Sequence, residues 1–486
     1  MKLNFLWSLL AFAAAASKGY GATDSNDTPP VIPTTSGRIT GKVDSALPNA
    51  HQYLGIPYAV PPVKERRWAA PELLNQPDAE IQATRLPPSC LQYLDTHLPN
   101  PFFENVLEFN LQGLNTTGAI SEDCLTLSVW APASKTVSPE GVPVLIFIYG
   151  GGFGVGGQDV PYQIPAQWVD RKLQMNGDSR KMVKPINLTG SSAGSMMADY
   201  YGFAYPDDPI VTGLILNSGT AFTPFFTVND TARSNFTFVA DHVGCAGLAD
   251  DPDQLLSCMR DVDGNVINDF IANYSETDGF PGLAFVPVED DSLIFSNYTQ
   301  RAVDGLQAKI LTRVEPAIVG TNALDGLIFA DFKAGDPNGP NATAGLEWDL
   351  VLFSCPATST IRFRQQTGLT SFRYMYYGNF TNVSPAPWMG AYHGAELPIL
   401  TGTHPNFRGD STPEEYATSQ AFQDAYVAFA SDPEDGLAGQ DWKPYATLGS
   451  EDVRGFGRDG VAVEDVSIAS TEALSNVVYE HWPIYS

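Results

Sequence analysis

The segment that most narrows what this chain can fold into is Gly190-Ser191-Ser192-Ala193-Gly194. A short apolar run (Ile186, Leu188) leads into it, and a helix-compatible stretch, Ser195 to Phe203, leads out. A serine on a sharp strand-to-helix turn carries its hydroxyl clear of the sheet, and small flanking residues let the turn close without clashes. Alone, the five letters also describe an ordinary turn, so the rest of the chain must decide.

The surroundings read as alternating strands and helices. Val142 to Tyr149 is apolar on both faces, which predicts a central strand covered by helices on both sides. It runs into Gly150-Gly151-Gly152-Phe153, and Ile164 to Leu173 then has helical spacing. Leu214 to Leu216, Ala317 to Gly320 and Phe372 to Tyr377 read as further strands, and Ser419 to Ala430 as a helix. Arg38 to Val43 and Gln52 to Ile56 read as short strands near the start of a sheet. This alternation predicts an α/β fold with a mostly parallel sheet and chemistry at the carboxyl ends of its strands.

Residues 1–16 have the form of a secretory signal: Lys2, an apolar stretch from Phe5, and Ala14-Ala15-Ala16 as a cleavage site. The run is too short to span a bilayer, so no transmembrane segment and an extracellular destination are expected. Residues 17–36 read as a loose N-terminal arm and residues 37–486 as one α/β domain. Sequons at Asn115, Asn229, Asn235, Asn273, Asn297, Asn341 and Asn379 agree with secretion. The sequon at Asn187 lies on the strand feeding the turn and is expected to be buried. Of five cysteines, Cys245 and Cys258 could close a small loop, Cys90 and Cys124 form the other natural pair, and Cys355 is left over. The net charge of −28 and the absence of a dense basic cluster argue against a nucleic-acid partner.

A serine hydroxyl needs a base to take its proton, a group to orient that base, and donors for the oxyanion. Gly150-Gly151-Gly152 after a buried strand can point backbone amides into a pocket, and the amide of Ala193 would complete the set. Among six histidines, His393 lies in an irregular stretch between strand and helix candidates, where functional residues concentrate. Asp325 follows the strand at Ala317, although Asp-Gly is also a common turn dipeptide. The order Ser192, Asp325, His393 is that of the α/β-hydrolases.

Several segments together resemble the type B carboxylesterase/lipase family, which includes cholinesterases and fungal extracellular lipases. They are Leu54-Gly55-Ile56-Pro57-Tyr58-Ala59 with Pro61-Pro62, Ser121 to Leu127 with Trp130-Ala131-Pro132, Tyr149 to Phe153, the Ser192 turn, Asn217-Ser218-Gly219, the Asp325 turn and His393-Gly394. They span almost the whole mature chain in order, and their flavour is that of secreted fungal members. The resemblance implies an α/β-hydrolase fold and a serine carboxylic-ester hydrolase working without cofactor or metal on a small-molecule or lipid ester. Ser192 would be the nucleophile, His393 the base, Asp325 the orienting acid, and Gly151, Gly152 and Ala193 the oxyanion donors. It also implies disulfides Cys90–Cys124 and Cys245–Cys258, and gives Glu396 a structural place after the histidine. It leaves the oligomeric state open.

The chain departs from that family at Asp325, where Glu is more usual, at Leu324, at Ser191, and most of all before Ser192. Between Phe153 and Gly190 the family has a helix, a strand, a second helix and then the nucleophile strand. Here Pro161 to Arg171 matches the first helix, and the polar stretch Lys172 to Lys184 leads directly to Ile186. One strand–helix unit is missing, and the region between Asp325 and Cys355 is also short. Each buried backbone group left unpaired costs roughly 1–3 kcal/mol, against a whole-domain stability of about 5–15 kcal/mol. The rival expectations are therefore a non-catalytic binding relative, or an inactive splice or gene-model form of an esterase.

Overall fold

A computed structural model describes residues 29–34, 36–76, 78–93, 120–133, 142–171, 185–206, 210–224, 231–277, 283, 285–301, 315–333, 335–406, 408–446 and 452–481. The signal segment, His97, the sequons at Asn115 and Asn229, and the stretch from Lys172 to Lys184 lie outside them.

Within the described residues the main sheet has seven strands: β9 (Val144–Ile148), β10 (Ile186–Ser191), β11 (Val211–Asn217), β12 (Ala317–Asn322), β13 (Ser371–Tyr376), β14 (Val453–Arg458) and β15 (Val461–Val466). They lie side by side in chain order. All neighbours pair in parallel except the antiparallel hairpin of β14 and β15. The ten helices described are α1 (Ala166–Asp170), α2 (Ala193–Ala204), α3 (Thr231–His242), α4 (Pro252–Asp261), α5 (Gly264–Glu276), α6 (Ala342–Asp349), α7 (Cys355–Gln366), α8 (Glu396–Thr401), α9 (Pro413–Ser431) and α10 (Ala469–His481).

Strands β11 to β13 are apolar on both sides because both sides are covered. Ile215, Ile318, Phe372, Tyr374 and Tyr376 point into one core with Phe422, Tyr426 and Phe429 of α9. Leu214, Leu216, Ala317, Val319 and Met375 point into the other core with Ala357 and Ile361 of α7. Successive residues alternate between the cores, as the period of two in a strand requires. The runs of β-branched and aromatic residues in these strands therefore need no polar face.

The remaining strands form three small sheets. β1 (Val31–Thr34), β2 (Gly37–Thr40) and β5 (Glu80–Gln82) form one. β3 (Lys42–Asp44), β4 (Leu47–Pro57) and β8 (Thr126–Pro132) form another, and β6 (Ser89–Cys90) pairs with β7 (Ile120–Ser121). The N-terminal arm is thus not loose at its end, since Val31–Thr34 pairs antiparallel with Gly37–Thr40. Both disulfides expected from the resemblance are present, Cys90–Cys124 and Cys245–Cys258, and Cys355 is buried and free. The Ser121 to Leu127 segment also carries Glu122, which accepts two hydrogen bonds from Arg67, at 2.6 and 2.9 Å. Arg67 in turn donates to the carbonyls of Met259 and Val262 and so ties this segment to the insertion of α3, α4 and α5.

One expectation is overturned. Val144–Ile148 is not a central strand covered on both sides but the edge of the main sheet, paired with β10 alone among the described residues. Val144, Ile146 and Phe147 are 45%, 44% and 37% exposed, whereas Ile318 and Val319 three strands away are at 0%. No described strand lies beyond β9. Helix α1 is also shorter than the run from Ile164 to Leu173 predicts. Asn187 is buried as expected, its amide donating to the Ala430 carbonyl at 3.0 Å. Asn235 is buried too, contrary to its reading as a glycan acceptor, while Asn273, Asn297, Asn341 and Asn379 are exposed. No helix among the described residues is long and apolar enough to cross a membrane.

An edge strand exchanges its outward amides readily, since only one side is hydrogen-bonded. Native-state hydrogen exchange should therefore find part of Val144–Ile148 exchanging at least about 100-fold faster than Ala317–Asn322. Uniform protection across both strands would contradict the split arrangement.

Candidate active site

The sheet brings the predicted residues to one end. Ser192 follows β10, Ser218 follows β11, Asp325 follows β12, and His393 lies in the loop after β13. The register pairs Ser191 with Asn217, Asn217 with Gly320, and Asn322 with Tyr376, so these loops leave neighbouring strands side by side.

Ser192 has φ +56° and ψ −127° between β10 and α2, a strained geometry for a residue with a side chain. Its amide donates to the Asn217 carbonyl at 2.9 Å, and its carbonyl accepts from Met196 at 3.0 Å. The turn can close because Gly190 and Gly194 are glycines. A Cβ on Gly190 would lie 2.3 Å from the Gly194 carbonyl carbon, and one on Gly194 would lie 2.1 Å from the Ile148 carbonyl oxygen. Two further bonds seat the first turns of α2: Ser195 Oγ donates to the Gly219 carbonyl at 2.6 Å, and Asp199 accepts from the Ala221 amide at 2.7 Å.

The glycine loop reaches the same turn. A Cβ on Gly150 would lie 2.9 Å from the Ser192 Cβ, which places the loop backbone directly against the serine. Gly151 has φ +121°, and its carbonyl accepts from Gly154 and Val155, both at 3.0 Å. Gln92 clamps the far end, accepting from the Gly156 amide at 2.6 Å and donating to its carbonyl at 2.9 Å. Phe153 packs against a cluster that contains Met196, Tyr200, Phe203, Ala221 and Tyr298. Ala193 is the first residue of α2, 3% exposed.

Asp325 and His393 meet because their loops are joined. The Leu324 amide donates to the Ala391 carbonyl at 3.0 Å, and the Asn322 side chain donates to the Tyr392 carbonyl at 2.8 Å. His393 Nδ1 lies 2.8 Å from Asp325 Oδ1. The other carboxylate oxygen accepts from Ser218 Oγ and from the Asn322 amide, each at 2.7 Å. Asp325 is fully buried. With its Nδ1 proton engaged by the carboxylate, the imidazole presents Nε2 as an acceptor. That atom is buried and has no hydrogen-bond partner among the described residues. The ring packs against Phe353 and Phe329, with centroids 4.6 and 6.1 Å away.

Sequence reasoning singled out Ser192, Asp325 and His393 but missed three supports. Ser218 was noted only as part of Asn217-Ser218-Gly219, and its position at a strand end was the available signal. Asn322, at the end of β12, links Asp325 to Glu396, whose carboxylate accepts from its side chain. Asp349, at the end of α6, accepts from Ser354 Oγ at 2.6 Å and packs its backbone where a Cβ on Gly326 would stand. Nothing in its sequence neighbourhood marks it.

Burial, followed by the charge of Asp325, pushes the Glu396 carboxyl up to about 7 and the Asp349 carboxyl up to about 8. Burial likewise raises Asp199 to about 6. A carboxyl with a raised value in the fold binds its proton more tightly folded than unfolded, so its contribution is full below the unfolded value and is lost as pH rises through the folded one. Thermal stability should fall from about pH 5 to about pH 8. Asp349→Asn should leave the melting temperature near pH 5 little changed and flatten part of the fall. A melting curve with the same pH slope in both proteins would exclude Asp349 as a source.

The sequence profile described as the carboxylesterase family matches residues 28–165 and 163–347. A chlorogenic acid esterase of Aspergillus niger is 35% identical to this chain, over 88% of the chain and 88% of the relative. Secreted lipase 5 of Gibberella zeae is 32% identical, over 85% and 87%. An acetylcholinesterase of Danio rerio is 27% identical over 54% of this chain and 46% of its own length.

Proposed function

The chain belongs to the carboxylesterase family, and on that premise we propose that it hydrolyses carboxylic esters through an acyl-enzyme on Ser192, as a secreted enzyme. The hydroxyl of Ser192 attacks the ester carbonyl carbon while His393 Nε2 takes its proton. The tetrahedral oxyanion is held by the amides of Gly151, Gly152 and Ala193. Collapse breaks the bond to the alkoxy oxygen, and His393 returns the proton to the departing alcohol. A water molecule then attacks the acyl-enzyme with His393 again as base, releasing the acid and restoring Ser192. Asp325 fixes the imidazole and favours its protonated form during each transfer.

The observation that carries this reading is the buried pair at 2.8 Å, which engages Nδ1 of His393 and leaves Nε2 without a partner among the described residues, free to accept a proton. The form of residues 1–16 and the relative named a secreted lipase support secretion. The domain reading stands with it: one α/β-hydrolase domain over residues 37–486.

For the substrate we favour an ester with an apolar or aromatic acyl group. Tyr200 and Phe203 of α2 cluster with Phe222, Tyr298, Phe363 and Phe153 of the glycine loop, and Phe329 and Phe353 flank the histidine. Offset and edge-on ring contacts of this kind suit an aryl group. The relative named a chlorogenic acid esterase points the same way.

The unpaired edge of β9 favours a second reading, a chain that folds but does not turn over, because a misplacement of about 1 Å can cost about 100-fold in rate. A fluorophosphonate reagent separates the two. Covalent labelling at Ser192, lost in Ser192→Ala together with p-nitrophenyl ester hydrolysis, is expected. Asp325→Asn should retain the fold and lower kcat by about 1000-fold or more, as wrong-tautomer variants do in other triads. Hydrolysis unchanged in Ser192→Ala would remove the acyl-enzyme reading.

A further inference from the structure

We propose that the single π-helical turn Leu350–Ser354 is the positioning element of the His393 imidazole: Phe353 sets the ring, and Asp349 locks the turn to the loop of Asp325. The inference rests on the hydrolytic reading and names the residues that hold its base in register.

Helices α6 and α7 run on into one another through this turn, where the Cys355 amide donates to the Leu350 carbonyl five residues back. Such turns are rare and gather at functional sites. The wider turn changes which side chains meet. In an α-helix, residues three and four apart are neighbours. Here Ser354 Oγ donates to the Asp349 carboxyl five residues back, at 2.6 Å. Val351, Leu352, Phe353 and Ser354 are all buried.

The turn touches the site on two sides. A Cβ on Gly326 would lie 2.0 Å from the Asp349 nitrogen, and the Gly326 amide donates to the Asp349 carboxyl. Asp349 thus braces the residue next to Asp325. Phe353 lies 4.6 Å from the His393 ring, and Phe329, at the end of the 3-10 turn Asp325–Phe329, closes the group at 5.9 Å from Phe353. The bond from Nδ1 to Asp325 fixes one atom of the imidazole but leaves the ring free to tilt about it. A tilt moves Nε2, the atom that takes the proton, and about 1 Å of misplacement costs about 100-fold in rate. A buried phenyl ring beside the imidazole removes that freedom.

Asp349 does this as an uncharged acid. Its Oδ1 is buried without a hydrogen-bond partner among the described residues, so that oxygen has no donor to meet a charge. Burial, then the charge of Asp325, raises the carboxyl to about 8 against the weaker pulls of Ser354, Arg373 and the Gly326 amide. Cys355 follows the turn, and α10, packed against it, brings Glu472, whose carboxylate accepts from Tyr445 Oη at 2.9 Å. Ionisation of Asp349 would set a second negative charge beside Asp325 and loosen the brace.

The test uses the full chain with Phe353→Leu, Ser354→Ala, Asp349→Asn and Asp349→Leu, folding being confirmed by tryptophan fluorescence. Each protein is read by p-nitrophenyl ester kinetics from about pH 5 to about pH 9. Each is also read without substrate, by the low-field proton resonance of the His393–Asp325 bond. Phe353→Leu and Ser354→Ala should lower kcat about 10-fold or more with KM within about twofold, and should shift or broaden the resonance. Asp349→Leu should lose about 100-fold, and Asp349→Asn, which keeps a neutral acceptor, should recover most of that loss. The parent's kcat should fall as pH rises through about 8, and Asp349→Asn should flatten that fall. The proposal is overturned if Phe353→Leu and Ser354→Ala leave both kcat and the resonance as in the parent. It is equally overturned if Asp349→Asn keeps the parent's alkaline fall, or if the parent shows no low-field resonance. If Asp349→Leu does not fold, Ser354→Ala and Asp349→Asn, which remove no buried bulk, decide. A resonance moved by Phe353→Leu in a parent that hydrolyses no ester would uphold the positioning role and overturn the hydrolytic reading instead.

Discussion

The site depends on one buried carboxylate. Asp325 has no exposure, and its two oxygens accept from His393, Ser218 and the Asn322 amide. A buried acidic group persists only where donors converge on it. Three separate strand-end loops supply those donors here, so the carboxylate fixes the relative placement of β11, β12 and the loop after β13. Glu396 and Asp349 lie close by and are driven toward their neutral forms by burial and by the charge of Asp325. Burial and the charge of Asp325 outweigh the opposing pull of the Arg373 guanidinium on Asp349, so the pocket does not hold three anions together. The result is one oriented acceptor for the imidazole, with neighbours that hold its loop without competing for the proton.

What the sequence made legible follows from locality. The turn at Ser192 is specified by Gly190 and Gly194, whose missing side chains are required by contacts within a few residues or with the adjacent strand end. The strands β11 to β13 are legible because both faces are apolar. The order Ser192, Asp325, His393 was readable as well, and the structure joins the last two directly. Ser218, Asn322 and Asp349 were not legible as supports, since each acts across loops that only the tertiary fold brings together. The hairpin of β14 and β15 was missed because its strand residues include Arg454, Arg458, Glu464 and Asp465, which blur the apolar pattern.

Val144–Ile148 shows the limit of pattern reading most clearly. Its composition is that of a central strand, and the reading was correct about the chemistry of the segment. Composition reports what a strand is suited to be covered by, not whether the cover is present. No described strand covers its outer edge, and the family profile matches the chain in two pieces that meet at residues 163–165.

This leaves the two halves of the site on supports of unequal strength. The acid–base half stands on β12 and β13, which are paired on both sides and buried on both faces. The loop proposed to hold the oxyanion stands on the end of β9, which among the described residues is paired on one side. Tyr149 and the glycines leave from that strand, and the Ile148 carbonyl is also the surface against which Gly194 closes the serine turn. Three contacts hold the loop besides the strand: Gln92 on Gly156, the Gly150 backbone on Ser192, and Phe153 on the α2 cluster. They fix the loop relative to the serine even if the edge strand breathes. Because a single oxyanion donor is worth about 100- to 1000-fold in rate, a small drift of this loop would lower turnover long before it disturbed the Asp325–His393 pair. On the proposed mechanism the rate therefore rests on those three loop contacts as much as on the Asp325–His393 pair.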